Sequence, residues 1–335
     1  MSGMPMPLQR VGARSVLPWA LAVLIALGAA GPQAAFAESD QADVHLVPGS
    51  RFSKEPGNPV LRANVDLVLV NVTVTDQQDR IVPDLQASDF ALLEDKIPQR
   101  IKYFSREASP IAMGLVLDTS NSMKDYLDQS RQAVLEFFRN SSVGDQLALV
   151  AFADRPRLLV GFDDPIADLN PVLQPLQAKG STAFWDAMYL ALMQMRTANV
   201  PKKALLVLSD GGDNHSRYTE GEIRSALREA DVQIYAIAPF KEQHTKAPED
   251  RSGLLWLDEI AKETGGRLFV IHGLDELPQT MARINDELRN QYTLGYLRGP
   301  KARDSKLHKV KVTLNAENAK KLRVYARKAF CETTD

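Results

Sequence analysis

From residue 110 onward, short apolar runs alternate with segments whose apolar residues recur every three to four positions. The runs are residues 111–117, 146–152, 204–209, 232–238 and 268–271. Their length, branched side chains and weak alternation predict strands buried on both faces. Between them Leu127, Val134, Phe137 and Phe138 share one helical face, and Phe184, Ala187, Met188, Ala191 and Met195 share another. Leu277, Met281, Ile284 and Leu288 mark a last helix over 275–290. Strands that alternate with helices of this length need crossovers. They predict an α/β fold over 110–290, a doubly wound, mostly parallel sheet with helices on both faces. The Met and aromatic stripes then read as core rather than as a cofactor pocket.

The flanks follow a two-residue rhythm instead. Residues 65–75 are rich in branched side chains, 76–80 supply a polar turn, and 81–82, 89–94 and 101–104 are short extended stretches. Beyond the last helix, 291–296 and 308–314 alternate cleanly and 322–326 follows. Neither flank has enough apolar surface for a core of its own. Segments 61–105 and 291–328 are therefore predicted to pair into one small β module, with the α/β domain inserted between them and 329–335 as a tail.

The first sixty residues fit neither pattern. Arg10 and Arg14 precede an apolar stretch over 16–30, and Ala35-Phe36-Ala37 offers a small-residue exit. This is the arrangement of a secretory signal peptide over 1–37. The stretch is shorter than the ~20 residues that span a bilayer, so cleavage, with no stable membrane span afterwards, is expected in preference to a retained anchor. Residues 38–60 mix Gly, Pro, Ser and charge without period and read as a tether. An exported protein, periplasmic or secreted, is the expectation. Its single cysteine, Cys331, excludes an internal disulfide and a Cys-ligated zinc. The 40 basic residues are offset by 42 acidic ones and scattered along the chain, which argues against a nucleic-acid partner.

Candidate chemistry sits where the apolar runs stop. The first ends in Asp118-Thr-Ser120-Asn-Ser122, the third in Ser209-Asp210-Gly-Gly-Asp213, and Lys179-Gly-Ser-Thr182 precedes the second helix. Open α/β sheets gather ligands at the carboxyl ends of their strands, and an oxygen-only set there suits a hard cation such as magnesium or manganese. Asp118 or Ser120 as a helix N-cap would explain one of these positions but not three loops of the same character. A calcium EF-hand starting at Asp118 fails, because Met123 and Gln129 fall at its sixth and twelfth positions.

In the order and spacing of these three segments, residues 110–290 resemble the von Willebrand factor type A family and its metal-ion-dependent adhesion site. The resemblance implies Asp118, Ser120, Ser122, Thr182 and Asp210 as ligands of Mg2+, with Mn2+ or Ca2+ as substitutes. It places Ser181 and Asp213 behind them. It also implies a non-enzymatic binding protein whose partner offers an Asp or Glu carboxylate to the cation. The flanks, through Val72-Thr-Val-Thr-Asp and Asn290-Gln-Tyr-Thr-Leu-Gly-Tyr296, resemble β extensions of exported bacterial proteins with such a core. Two other functions stay open. One is a cell-envelope structural or assembly factor in which the metal only stabilises the fold. The other is a metal-dependent hydrolase, although Gly-x-Ser-x-Gly, His-Glu-x-x-His and phosphate-loop runs are all missing.

Overall fold

Val70, Val72 and Val74, at alternate positions of the first strand β1 (Asp66–Thr75), are fully buried. The computed structural model describes residues 66–107, 109–164, 168–240, 248–298, 306–315 and 319–331, and Leu61–Asp335 forms one compact unit. The segments read as signal peptide and tether lie outside the described residues. After β1 come β2 (Phe90–Glu94), β3 (Ile97–Gln99) and β4 (Ile101–Ser105). The chain then enters the α/β region through β5 (Ile111–Asp118), α1 (Leu127–Arg139), β6 (Gln146–Phe152), β7 (Pro156–Val160) and α2 (Asn170–Leu173). It continues with α3 (Phe184–Arg196), β8 (Lys202–Leu208), α4 (Glu220–Glu229), β9 (Gln233–Pro239), α5 (Pro248–Thr264), β10 (Leu268–Ile271) and α6 (Glu276–Arg289). It leaves through β11 (Tyr292–Arg298), β12 (Leu307–Leu314), β13 (Arg323–Ala326) and β14 (Ala329–Cys331).

The α/β region is the doubly wound arrangement. Its sheet runs in the order β10-β9-β8-β5-β6-β7, parallel except for β7, which pairs antiparallel with β6. Every residue of β5 is buried, as a central strand requires. One apolar cluster joins this sheet to α1 and α6, and a second joins it to α3, α4 and α5. From β5 the chain moves to β6 on one side, and returns to β8 on the other. The crevice at the carboxyl ends of β5 and β8 is therefore the topological switch point where such sheets take ligands.

The two flanks do share a module. β1 pairs antiparallel with β11 and β13, and β11 with β4, in one sheet. β12 pairs with β2 and β14, and β2 with β3, in another. Val70, Val72, Tyr292 and Leu294 of the first sheet meet Phe90, Leu92, Val310 and Phe330 of the second in a common core. Phe90 and Tyr292 lie 5.2 Å apart between ring centroids, within aromatic-pair range.

Six elements depart from the sequence reading, among them the short β3 and α2, which no pattern in the sequence marks. β7 opens on Pro156 and Arg157 and leaves Leu158 exposed, so it lacks the apolar signature of its neighbours. α4 begins at a capping box, with Thr219 Oγ1 accepting from the Glu222 amide and Glu222 Oε2 accepting from the Thr219 amide. α5 was not anticipated either. Residues 329–331, read as tail, form β14, whose Phe330 is buried in the module's core. Among the described residues no helix is long and apolar enough to cross a membrane.

Candidate functional site

Asp118 is the last residue of β5 and is fully buried. Its Oδ1 accepts the Ser120 amide at 2.8 Å, which folds the chain back in an Asx turn. Ser120 Oγ then lies 3.0 Å from Ser122 Oγ. Ser120 occupies the N-cap position of a 3-10 turn over Asn121–Tyr126, yet its side chain makes no capping bond there. A purely capping role for this motif therefore lacks its defining hydrogen bond. Asp118 and Ser120 are buried while Ser122 is exposed, so the motif climbs from the sheet floor to solvent.

The second loop is tied to the first through the backbone. The Lys179 amide donates to Thr119 O at 3.0 Å, and the Asn121 amide donates to Gly180 O at 3.2 Å. Gly180 has φ +87°, and a Cβ on it would fall 2.6–2.8 Å from the Asp154 carboxylate. That carboxylate in turn accepts the Ser181 amide at 2.6 Å. Only glycine meets both demands at this position. Thr182 follows, buried, and is tied to the third loop. Its amide donates to Asn214 Oδ1 at 2.8 Å, and its carbonyl accepts from the amides of Asn214 and His215.

The third loop leaves β8 at Ser209 and Asp210, both buried. Ser209 Oγ donates to Asp118 Oδ2 at 2.6 Å and accepts the Gly211 amide at 3.0 Å. Burial and the nearby Asp210 carboxylate push the Asp118 carboxyl up to about 6. What counters them is hydrogen bonding from Ser209 and Ser120 rather than a basic side chain.

The structure thus brings Asp118, Ser120, Ser122, Thr182 and Asp210 to one end of the sheet on three interlocked loops. Two buried carboxylates repel each other beside neutral hydroxyls, and this donor set fits a hard divalent cation. Asp213 has a different task. Its Oδ1 accepts the Phe184 amide at 2.8 Å and the Ser216 hydroxyl, capping α3, whose own N-cap residue Ala183 has no side-chain bond to offer. His215 is exposed. Ser209, Asp154 and Asn214 hold the loops together and were not singled out by sequence. Ser209 stands within the third motif and Asn214 directly follows it, whereas Asp154, just beyond β6, lies beside none of the three.

Residues 113–212 match the family model described as von Willebrand factor type A domain. A UPF0353 protein from Mycolicibacterium gilvum is 22% identical over 216 residues, covering 55% of this chain and 64% of the relative. Among solved structures, the chain is similar to proximal thread matrix protein 1 from the mussel byssus, with a TM-score of 0.47 and 21% identity over 59% of this chain and 50% of that one. It is also similar to a von Willebrand factor type A protein from Catenulispora acidiphila, with a TM-score of 0.44 and 13% identity over 82% of this chain and 74% of that one. The chain spans 64% of the curated relative's length and half of the mussel protein's.

Proposed function

From the premise that residues 113–212 carry a von Willebrand factor type A domain, we propose that this protein is an exported, non-enzymatic binding protein that captures an acidic side chain of a partner protein through a divalent cation. The observation that carries this reading is the pairing of two buried carboxylates, Asp118 and Asp210, with the hydroxyls of Ser120, Ser122 and Thr182 at the switch point of the sheet. These five residues would hold Mg2+, with Mn2+ or Ca2+ as substitutes. The bound ion would supply a site for a carboxylate oxygen from outside, since magnesium keeps positions open to exchange. Neutral hydroxyls leave the charge of such an ion largely uncancelled on the solvent side. Ser122, the exposed member, stands where a partner would approach. Ser209 holds the Asp118 carboxylate in place, and the Lys179–Thr119 and Asn121–Gly180 bonds fix the loops against one another. Export would follow from a signal peptide over 1–37, delivering the protein to the periplasm or the medium.

The test is calorimetric titration of Mg2+ into the full chain, paired with partner capture from an envelope fraction in Mg2+ and in EDTA. One saturable site, weakened at least about tenfold in Thr182→Ala with the fold retained, is the expected result. Capture that persists in EDTA on a folded protein would overturn the proposal.

A further inference from the structure

At the opposite end of the sheet, by the first residue of β9, a cavity of about 330 Å3 opens on the seam between the α/β domain and the β module. Its volume is near the lower end of the ~300–1,000 Å3 typical of small-molecule sites, which favour such seams. Leu227 of α4, Val232, Ile260 of α5 and Leu307 of β12 supply its apolar lining. Most of the polar groups in its lining are already committed, Asn71 Oδ1 among them, which accepts from the Thr293 hydroxyl. Gln233 donates to Gly265 O and accepts from Gln291, and the Thr264 hydroxyl donates to Ile260 O while accepting the Ile234 amide. The interior therefore offers little to a polar body.

The mouth is charged, and unevenly. Arg228, Lys309, Arg327 and Lys328 line it against Asp231 and Glu263. Asp231 is taken by Arg327, whose guanidinium also covers the Phe330 ring at 5.3 Å. Glu263 meets Arg224 at 3.3 Å, but that guanidinium is also held by Glu220 at 2.9 Å and Glu259 at 2.6 Å, so Glu263 is only partly neutralised. Arg228, Lys309 and Lys328 are exposed and have no ion-pair partner among the described residues. Three cations without ion-pair partners thus outnumber one partly neutralised carboxylate, Glu263, around an apolar pit formed jointly by two parts of the chain.

We propose that this seam cavity binds a small amphiphilic acid, an apolar body seated between α4, α5 and β12 with one anionic group held by Arg228, Lys309 and Lys328. The site is separate from the cation-binding loops and independent of the function proposed for them. Its apolar wall selects for the body and its rim for the charge, so neither feature alone suffices.

Octanoate is the probe, titrated into the full-length protein by calorimetry below its micellar concentration, with octanol and octylammonium as neutral and cationic counterparts. Saturable binding of one octanoate per chain, at least tenfold tighter than either counterpart and at least tenfold weaker in the double variant Lys309→Glu/Lys328→Glu, is expected. Both lysines are exposed, and circular dichroism checks that the variant remains folded. Absence of saturable octanoate binding, equal binding of octanol, or unchanged affinity in the charge-reversed variant would overturn the proposal.

Discussion

Gly211 and Gly253 meet backbone to backbone: a Cβ built on Gly253 would fall 2.5 Å from both the carbonyl carbon and the oxygen of Gly211. Gly211 directly follows Asp210, and Gly253 lies within α5. The helix is thus seated on the loop that carries one of the candidate ligands. Alanine is intrinsically better than glycine inside a helix by roughly 1 kcal/mol, but here the added methyl must push the loop away. Gly253→Ala is expected to destabilise by about 1–3 kcal/mol, the usual cost of overpacking, and to weaken Mg2+ binding. Gly221→Ala in α4, where a Cβ meets nothing within 4 Å, is the control. Urea unfolding of both variants with Mg2+ titration checks this, and equal behaviour would show that the contact is not constraining.

Ser209 makes a second test of the loop assembly. Its hydroxyl is the donor on Asp118 Oδ2, at 2.6 Å in a fully buried setting. Ser209→Ala removes that bond and strips the Gly211 amide of its acceptor. A loss of about 1–3 kcal/mol is expected for polar groups left buried without partners. Chemical denaturation in EDTA reads the structural cost, and the same measurement in Mg2+ shows how much a bound cation restores.

How much of this was legible follows from which interactions leave a trace in side-chain chemistry. β5 and β8 announce themselves because central strands of a parallel sheet must be apolar throughout, and the polar residues that end them stand out by contrast. The edge strand β7 faces no such demand, and Pro156 and Arg157 at its start read as loop. The bonds joining Lys179 to Thr119 and Asn121 to Gly180 are between backbone atoms, so no residue type betrays them. Asp213, expected behind the ligands, spends its carboxylate on the start of α3, a task that its place in the motif does not reveal. Thr219 and Glu222 form a capping box in the sequence as in the structure, but Ile223 and Leu227 are the only buried residues of the polar helix that follows, too few to mark α4.

Lys202 sets an alkaline signature for stability. Its ammonium is buried at the start of β8, donates to Leu288 O, and is pushed down to about 8 by burial and then by Arg289. Unfolded, a lysine titrates near 10.4, so between about pH 8 and 10 the unfolded chain binds the extra proton. Stability contributed by this group therefore rises with pH across that window, by up to roughly 3 kcal/mol at 1.36 kcal/mol per unit. Lys202→Met, of similar shape and without a charge to desolvate, should flatten the gain. Urea midpoints at pH 8 and 10 for both proteins measure it, and parallel pH dependence would assign the effect elsewhere.

Asp79 binds the last helix of the α/β domain to the β module. It sits at φ +61° in the turn after β1 and receives Arg267 at 3.1 Å, Arg283 of α6 at 3.1 Å and Arg323 of β13 at 2.8 Å. Arg267 and Arg283 also hold Glu287, a fully buried residue of α6, at 2.7 and 3.4 Å. Asparagine tolerates the same left-handed backbone, so Asp79→Asn isolates the charge. Removing it leaves three guanidinium groups with a single carboxylate, Glu287, to oppose two of them. The desolvated part of the network should then cost about 1–3 kcal/mol, less than the loss of a fully buried pair because Asp79 is partly exposed. If α6 is coupled to the module through this residue, amide exchange in α6 and in β1 should accelerate together in the variant, while exchange in α3, on the other face of the sheet, stays as in the parent protein. Acceleration confined to the turn around Asp79 would show that the helix is held by its apolar face alone.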